Sequence, residues 1–228
     1  MNLLNNRSLS QTLDVVNEAL FMETAIPRAE KNRVTDWLAG RQGLRGSYAG
    51  MFAPTTLDYK EGVRVFTGER IKTRAGTAHV LGEEACRAMA LLGGKTSKAM
   101  TAFSKAAEGM NKRLRESEKG GHPRGSYCCG TCTSAMWRSL AAGCFSDRAS
   151  RLSKGMGYLK ENRDGEGRWG RFPFYYTLLA LSEIENRAAT SELRYAAPTC
   201  ERLLKRSPRD EKYDGRRRML VERVLARV

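Results

Sequence analysis

Apolar positions recur at helical spacing along nearly the whole chain, and the elements they predict alternate in character. Between Gln11 and Thr24, Leu13, Val16, Leu20 and Phe21 mark one face of a helix, with Ser10 as its predicted N-cap. Pro27 opens a second helix that runs toward Gly43. HVLGEEACRAMALLG, stopped by Gly93 and Gly94, reads as a helix with little polar surface. The stretch from Lys98 to Glu118, capped by Thr96 or Ser97, is long, amphipathic and charged, as an outer helix should be. Thr131 to Gly143 is again apolar and rich in small residues. Ser146 and Asp147 open a charged helix reaching Asn162, and FPFYYTLLALSEI closes the series with another apolar one.

Charged and apolar helices are joined by a recurring turn in which an aromatic residue follows glycine by two positions. The three copies place Gly46 before Tyr48, Gly125 before Tyr127, and Gly167 before Trp169. Tyr127 and Trp169 are about 42 residues apart, whereas Tyr48 and Tyr127 are about 79 apart. The longer interval is explained by an insertion, residues 51–76, within the first copy. There Pro54, Gly62, Gly68 and Gly76 punctuate a β-like run from Val63 to Phe66, and the spacing around FTGER predicts a short β-hairpin. Stacked hairpins of this length imply an all-α helical-repeat domain spanning 1–228. Residues 190–228 lack the glycine-aromatic turn, are strongly basic and read as a helical cap whose first helix is kinked or split at Pro198.

The third copy, YLKENRDGEGRWG followed by YYTLLALSEI, resembles the repeat of the α/α-toroid superfamily, which includes terpenoid cyclases, protein prenyltransferase β subunits and lanthionine-synthetase cyclases. Asn162, Asp164, Gly165, Gly167, Trp169 and Gly170 carry the likeness. It implies inner helices around a cavity, arranged as an open arc, a small closed barrel or a homo-oligomer completed by a second subunit. It also implies a ligand pocket at the inner-helix N-termini. The pocket residues expected on that basis are Tyr48, Glu83, Glu84, Tyr127, Cys128, Cys132, Trp169, Phe174 and Tyr175. The sequence holds no Asp-x-Asp-Asp acid motif, and it lacks the Asp, Cys and His set that holds zinc in prenyltransferases.

Charge and cysteine usage narrow the chemistry. Forty Lys and Arg against 25 Asp and Glu leave a net charge of +15, which favours an anionic ligand or nucleic acid. Arg216, Arg217 and Arg218 are the densest candidate contact. No apolar run is long enough to span a bilayer, and the start of the chain lacks a signal-peptide layout, so a cytoplasmic protein is expected. No cofactor is needed for folding at this length. Cys128, Cys129 and Cys132 nevertheless cluster before an apolar helix. With His79 and Glu83, four apart, Cys129 and Cys132 could hold zinc or an iron–sulfur cluster. Alternatively these are small buried residues, or Cys132 is a thiol activated by a helix N-terminus. CCGTCTSAMW is similar to the segment around papain-like nucleophiles, but no histidine follows Cys132.

Overall fold

The structure, a computed structural model, describes residues 2–207 and 212–228 and is all-helical among them. Ten helices follow in order: α1 Leu9–Phe21, α2 Arg28–Ala39, α3 Thr56–Glu61, α4 Arg74–Leu92, α5 Ser97–Lys119, α6 Gly130–Ala141, α7 Arg148–Glu161, α8 Phe174–Ser182, α9 Arg187–Leu204 and α10 Lys212–Arg227. None of them is long and apolar enough to cross a membrane.

Two rows of helices result from the alternation of composition. Every residue of α4 from Thr77 to Met89 is buried, as is nearly all of α6 and α8. By contrast α5 buries one stripe, Ala99, Ala102, Ala106, Met110 and Leu114, and turns its charged face outward. Accordingly α4 packs on α6, α6 on α8 and α8 on α10, while α2, α5, α7 and α9 lie outside them. The inner row also reaches α1, which packs on α4. Ion pairs then join α10 back to α1: Arg216 meets Asp14 at 2.6 Å and Glu18 at 3.1 Å, and Arg223 lies 4.0 Å over the Phe21 ring.

The interior of this row is filled by a charged network. Arg138 of α6 bonds Glu84 of α4 at 2.5 Å and both oxygens of Glu183, after α8, at 2.9 Å. Arg87 also grips Glu183, at 2.6 and 3.2 Å, and Asn17 of α1 links Glu84 to Arg87. Tyr176 donates its hydroxyl to Glu84. Two carboxylates face two guanidiniums, so the buried charge sums to zero. Glu84, an expected pocket residue, therefore serves the packing of four elements.

The repeated turn has a steric cause. Gly46, Gly125 and Gly167 all have positive φ, between 81° and 92°. At the second copy the turn also presses into the next outer helix. A Cβ on Gly155 of α7 would lie 2.4 Å from Trp137 Nε1 and 2.7 Å from the Gly125 carbonyl oxygen, which themselves share a 2.7 Å hydrogen bond. Only glycine fits between them.

Several local expectations change. The N-cap of α1 is Ser8, whose hydroxyl accepts from Gln11 N at 3.1 Å, because Ser10 is drawn instead to Asp58. Pro198 does not split α9, which continues through it with the proline on the exposed side of the helix. The expected hairpin is reduced to a single bridge, Arg64 to Arg70, and no strand occurs among the described residues. Val63 and Val65 are buried with Arg64 exposed between them, but the alternation ends at once, since Phe66, Thr67 and Gly68 are all buried, and Thr73 already caps α4, which leaves no length for a ladder. The insertion contributes a helix instead. Asp58 in α3 is buried and accepts bonds from Ser8, Leu9, Ser10 and Thr55, tying the insertion to the start of α1.

Two outcomes follow from these contacts. Gly155→Ala is expected to lower stability by roughly 3 kcal/mol, since the methyl meets an indole and a carbonyl that cannot both move; chemical denaturation at neutral pH measures it. Burial works to raise the Asp58 pKa, but the hydrogen bonds from Ser8, Thr55 and Ser10 prevail and hold it below 3.8. Its stabilisation is thus complete above that value and is lost as the pH falls through and below it. Asp58→Asn should be less stable at neutral pH, and its stability should decline less steeply than that of the wild type as the pH falls below about 4.

Candidate metal centre

α4 and α6 pack side by side, and their N-terminal halves bring the cysteine cluster to His79. His79 and Glu83 share a face of α4 one turn apart. Cys129 is the N-cap of α6, its Sγ accepting from Cys132 N at 3.5 Å, so Cys128 stands just outside the helix and Cys132 in its first turn. The preceding backbone is fixed by Thr133, whose Oγ1 accepts from Tyr127 N at 2.9 Å and donates to Tyr127 O at 3.2 Å. As a result one imidazole nitrogen of His79 and the sulfurs of Cys128 and Cys132 lie within 4.8 Å of one another.

The two ring nitrogens of His79 face different partners. Nδ1 is 3.9 Å from Cys128 Sγ, and Nε2 is 3.1 Å from Glu83 Oε1. Glu83 is fully buried, and neither of its oxygens receives an aligned hydrogen bond; the pair is an ionic contact. Tyr48, from the first repeat turn, stacks on the imidazole at 4.2 Å, and Tyr127, from the second, meets its edge at 4.8 Å. The two phenol oxygens are 2.5 Å apart, and Arg113 of α5 donates to Tyr48 Oη at 3.4 Å. His122 stacks on the other side of Tyr127 at 6.3 Å.

Electrostatics separate five of the six cysteines. Hydrogen bonding to Cys129, then Cys132 and finally the nearby His79 drive the Cys128 pKa far below the ordinary thiol value, although burial opposes them. Cys132 moves the other way, because it donates to its neighbours. Burial raises His79's cost of charging, yet attraction to Glu83 and contact with Cys128 push its pKa up to about 10. Burial lifts Glu83 to about 6 against the pull of His79. Burial raises Cys86 well above the usual range, Cys144 to about 12 and Cys200 to about 11, so these three are inert packing residues.

The expected pocket is divided by the fold. Tyr48, His79, Glu83, Tyr127, Cys128 and Cys132 converge, with Cys129 beside them. Trp169 lies elsewhere, donating to Glu192 of α9 at 2.9 Å, with Phe174 stacked on it. Tyr175 sits under Arg217 at 4.8 Å. Arg216 is buried against Asp14, Arg217 donates to Thr67 O at 2.7 Å, and Arg218 pairs with Glu222 at 3.2 Å, so the expected anion contact is largely spent on internal bonds. Arg113 was not among the expected site residues, since on an outer charged helix nothing distinguishes it from its neighbours.

The three side chains form a group that could hold a metal ion. Tetrahedral zinc with bonds of about 2.0–2.3 Å sets its donors roughly 3.5–3.8 Å apart, close to the 3.9 Å from Nδ1 to Cys128 Sγ. That distance is at the limit for sulfur hydrogen bonding. A carboxylate behind the second ring nitrogen is the usual support of a metal-bound histidine. Because the thiolate is the reactive form, iodoacetamide should label Cys128 in metal-free protein at a rate nearly unchanged from about pH 8 to 6. Removing the two leading donors together, with Cys129→Ala and Cys132→Ala, should make that rate fall with pH over the same range; peptide mapping of the alkylated protein reads both.

Searches against protein-family models, curated proteins and solved structures find no match to this chain.

Proposed function

We propose that this protein binds one zinc-type divalent ion through His79 Nδ1, Cys128 Sγ and Cys132 Sγ, and that the ion, at the seam of the first two repeats, is its working centre. The convergence of a histidine and two thiols from positions 49 residues apart in sequence carries the reading. Zinc is favoured over an iron–sulfur cluster because a cluster is commonly held by four thiolates and, among the described residues, two sulfurs, of Cys128 and Cys132, group with His79. Three protein ligands and one remaining position are the arrangement of a zinc ion that takes a ligand, polarising a bound oxygen or holding a bound thiolate.

An α/α-toroid-like array is the architecture that accompanies this proposal. The alternation of inner and outer helices supports it, as does the return of the inner row from α10 to α1. Since the charged network occupies the interior, the ligand reaches the ion from the mouth at the α6 N-terminus, where Cys128 is exposed. Exposed Arg113 beside Tyr48 suits an anionic ligand there. The row Cys128, His79 and Glu83 also has the order of nucleophile, base and orienting acid. The metal reading is preferred because such a triad leaves Cys132 without a part.

Protein purified without a histidine tag is expected to carry about one zinc per chain by elemental analysis, and His79→Ala, Cys128→Ala and Cys132→Ala should each abolish it. Glu83→Gln should retain binding and weaken it by about 10–100-fold. Metal-free wild-type protein that fails to take up zinc in a competition titration would overturn the proposal.

A further inference from the structure

Two of the three donors are also placed to bond to each other. The Cys128 and Cys132 sulfurs belong to the group whose donor atoms all lie within 4.8 Å of one another. A disulfide sets its sulfurs about 2.05 Å apart, so less than about 3 Å remains to be closed. The backbone is already drawn into the loop that such a bond completes. Thr133 binds both the amide and the carbonyl of Tyr127, and inside that clamp the Cys129 sulfur accepts from the Cys132 amide. Residues 128 and 132 are the pair between these two contacts. Cys128, in the turn outside α6, is exposed, whereas Cys132, in the first turn of the helix, is buried. An accessible thiol that meets an oxidant first, with a sheltered thiol beside it, has the layout of an attacking and a resolving cysteine.

We infer that Cys128 and Cys132 form a reversible disulfide under hydrogen peroxide, and that its formation discharges the ion. In the first step the Cys128 thiolate attacks one peroxide oxygen; the O–O bond breaks, Cys128 becomes a sulfenic acid, and the hydroxide that leaves is protonated to water. In the second the Cys132 thiolate attacks the Cys128 sulfur, the S–O bond breaks, and hydroxide again leaves as water. Two thiols and one hydrogen peroxide thus give one disulfide and two waters. The disulfide rests on the placement of the two sulfurs alone; the discharge rests on the metal reading above. Neither sulfur of a disulfide is a thiolate ligand, so oxidation takes away two donors at once and leaves His79 alone, too few to hold zinc. Reduction by an external thiol restores both donors.

Cys128, Cys129 and Cys132 share one tryptic peptide, Gly125–Arg138, so a variant must assign the bond. Cys129→Ser is the informative one, because serine keeps the helix cap and leaves Cys128 and Cys132 as the only thiols of that peptide. The full chain, with and without zinc, is treated with hydrogen peroxide, denatured, alkylated with iodoacetamide, digested and weighed. In Cys129→Ser the peptide is expected to lose two hydrogens and to take up no alkyl group, at a rate within about twofold of the wild type, and dithiothreitol should reverse this. With Cys129→Ser and Cys132→Ser combined, dimedone should trap the sulfenic acid on Cys128. Zinc-loaded wild type should yield about one zinc per disulfide to a chromogenic chelator. A disulfide that forms in the wild type and not in Cys129→Ser would overturn the pairing. One that forms while the ion stays bound would refute the discharge. Zinc uptake by the reduced protein, with no disulfide on oxidation, would overturn this inference and leave the metal centre intact. A disulfide in protein that takes up no zinc when reduced would overturn the metal reading and leave the redox pair standing.

Discussion

The buried charge network of Glu84, Arg87, Arg138 and Glu183 is the constraint on which the rest of the molecule depends. It joins α1, α4, α6 and the end of α8 with hydrogen bonds as short as 2.5 Å, with Glu84, Arg87 and Arg138 buried and Glu183 half-buried. Buried charges of this kind contribute little net stability compared with a well-packed apolar core, but removing one partner strands another at a cost of about 3–5 kcal/mol. Their main effect is on register. Apolar helices such as α4, α6 and α8 could slide or rotate against one another at modest cost, whereas each guanidinium here has only one set of acceptors.

That register positions the candidate centre. Glu84 and Glu83 are adjacent on α4, so directing Glu84 to Arg138 turns Glu83, with His79 one turn earlier, to a different side of the helix. Arg138 likewise lies six residues beyond Cys132 on α6 and fixes the rotation of that helix. The repeat turns complete the arrangement. Gly125 against Gly155 sets the height of the second turn, and Tyr48 and Tyr127, joined through their hydroxyls, close two sides around the imidazole. The aromatic residues of the repeat therefore act partly as wedges, as Trp169 does against α9, and partly as walls of the site.

Much of the fold was legible because helical periodicity and glycine stops act locally. The all-helical character and the contrast between apolar and charged helices follow from nearby residues. The exceptions are instructive. Ser10 is a sound N-cap by local rules, yet Asp58 draws it away from nearly 50 positions downstream. Val63 to Phe66 reads as strand, but its alternation ends at Phe66 and a single bridge, Arg64 to Arg70, is all that forms. Pro198 was expected to kink or split the first terminal helix, yet α9 runs unbroken from Arg187 to Leu204 with the proline on its exposed side.

For the site, residue types were apparent and their grouping was not. Cys128, Cys129, Cys132, His79 and Glu83 stand out by composition and spacing, and the helix-turn separation of His79 and Glu83 is a local matter. Glu84 looked equivalent to Glu83, and Trp169 equivalent to Tyr127, because periodicity says that a residue is buried without saying against what. By itself the sequence determined the elements, their alternation and the presence of metal-capable side chains, all set by interactions within a few residues. Only the tertiary structure decided that Cys128 rather than Cys129 meets His79 Nδ1, and that Glu84 belongs to the charged core. Those outcomes depend on the relative rotation of α4 and α6, which long-range ion pairs and close packing fix together.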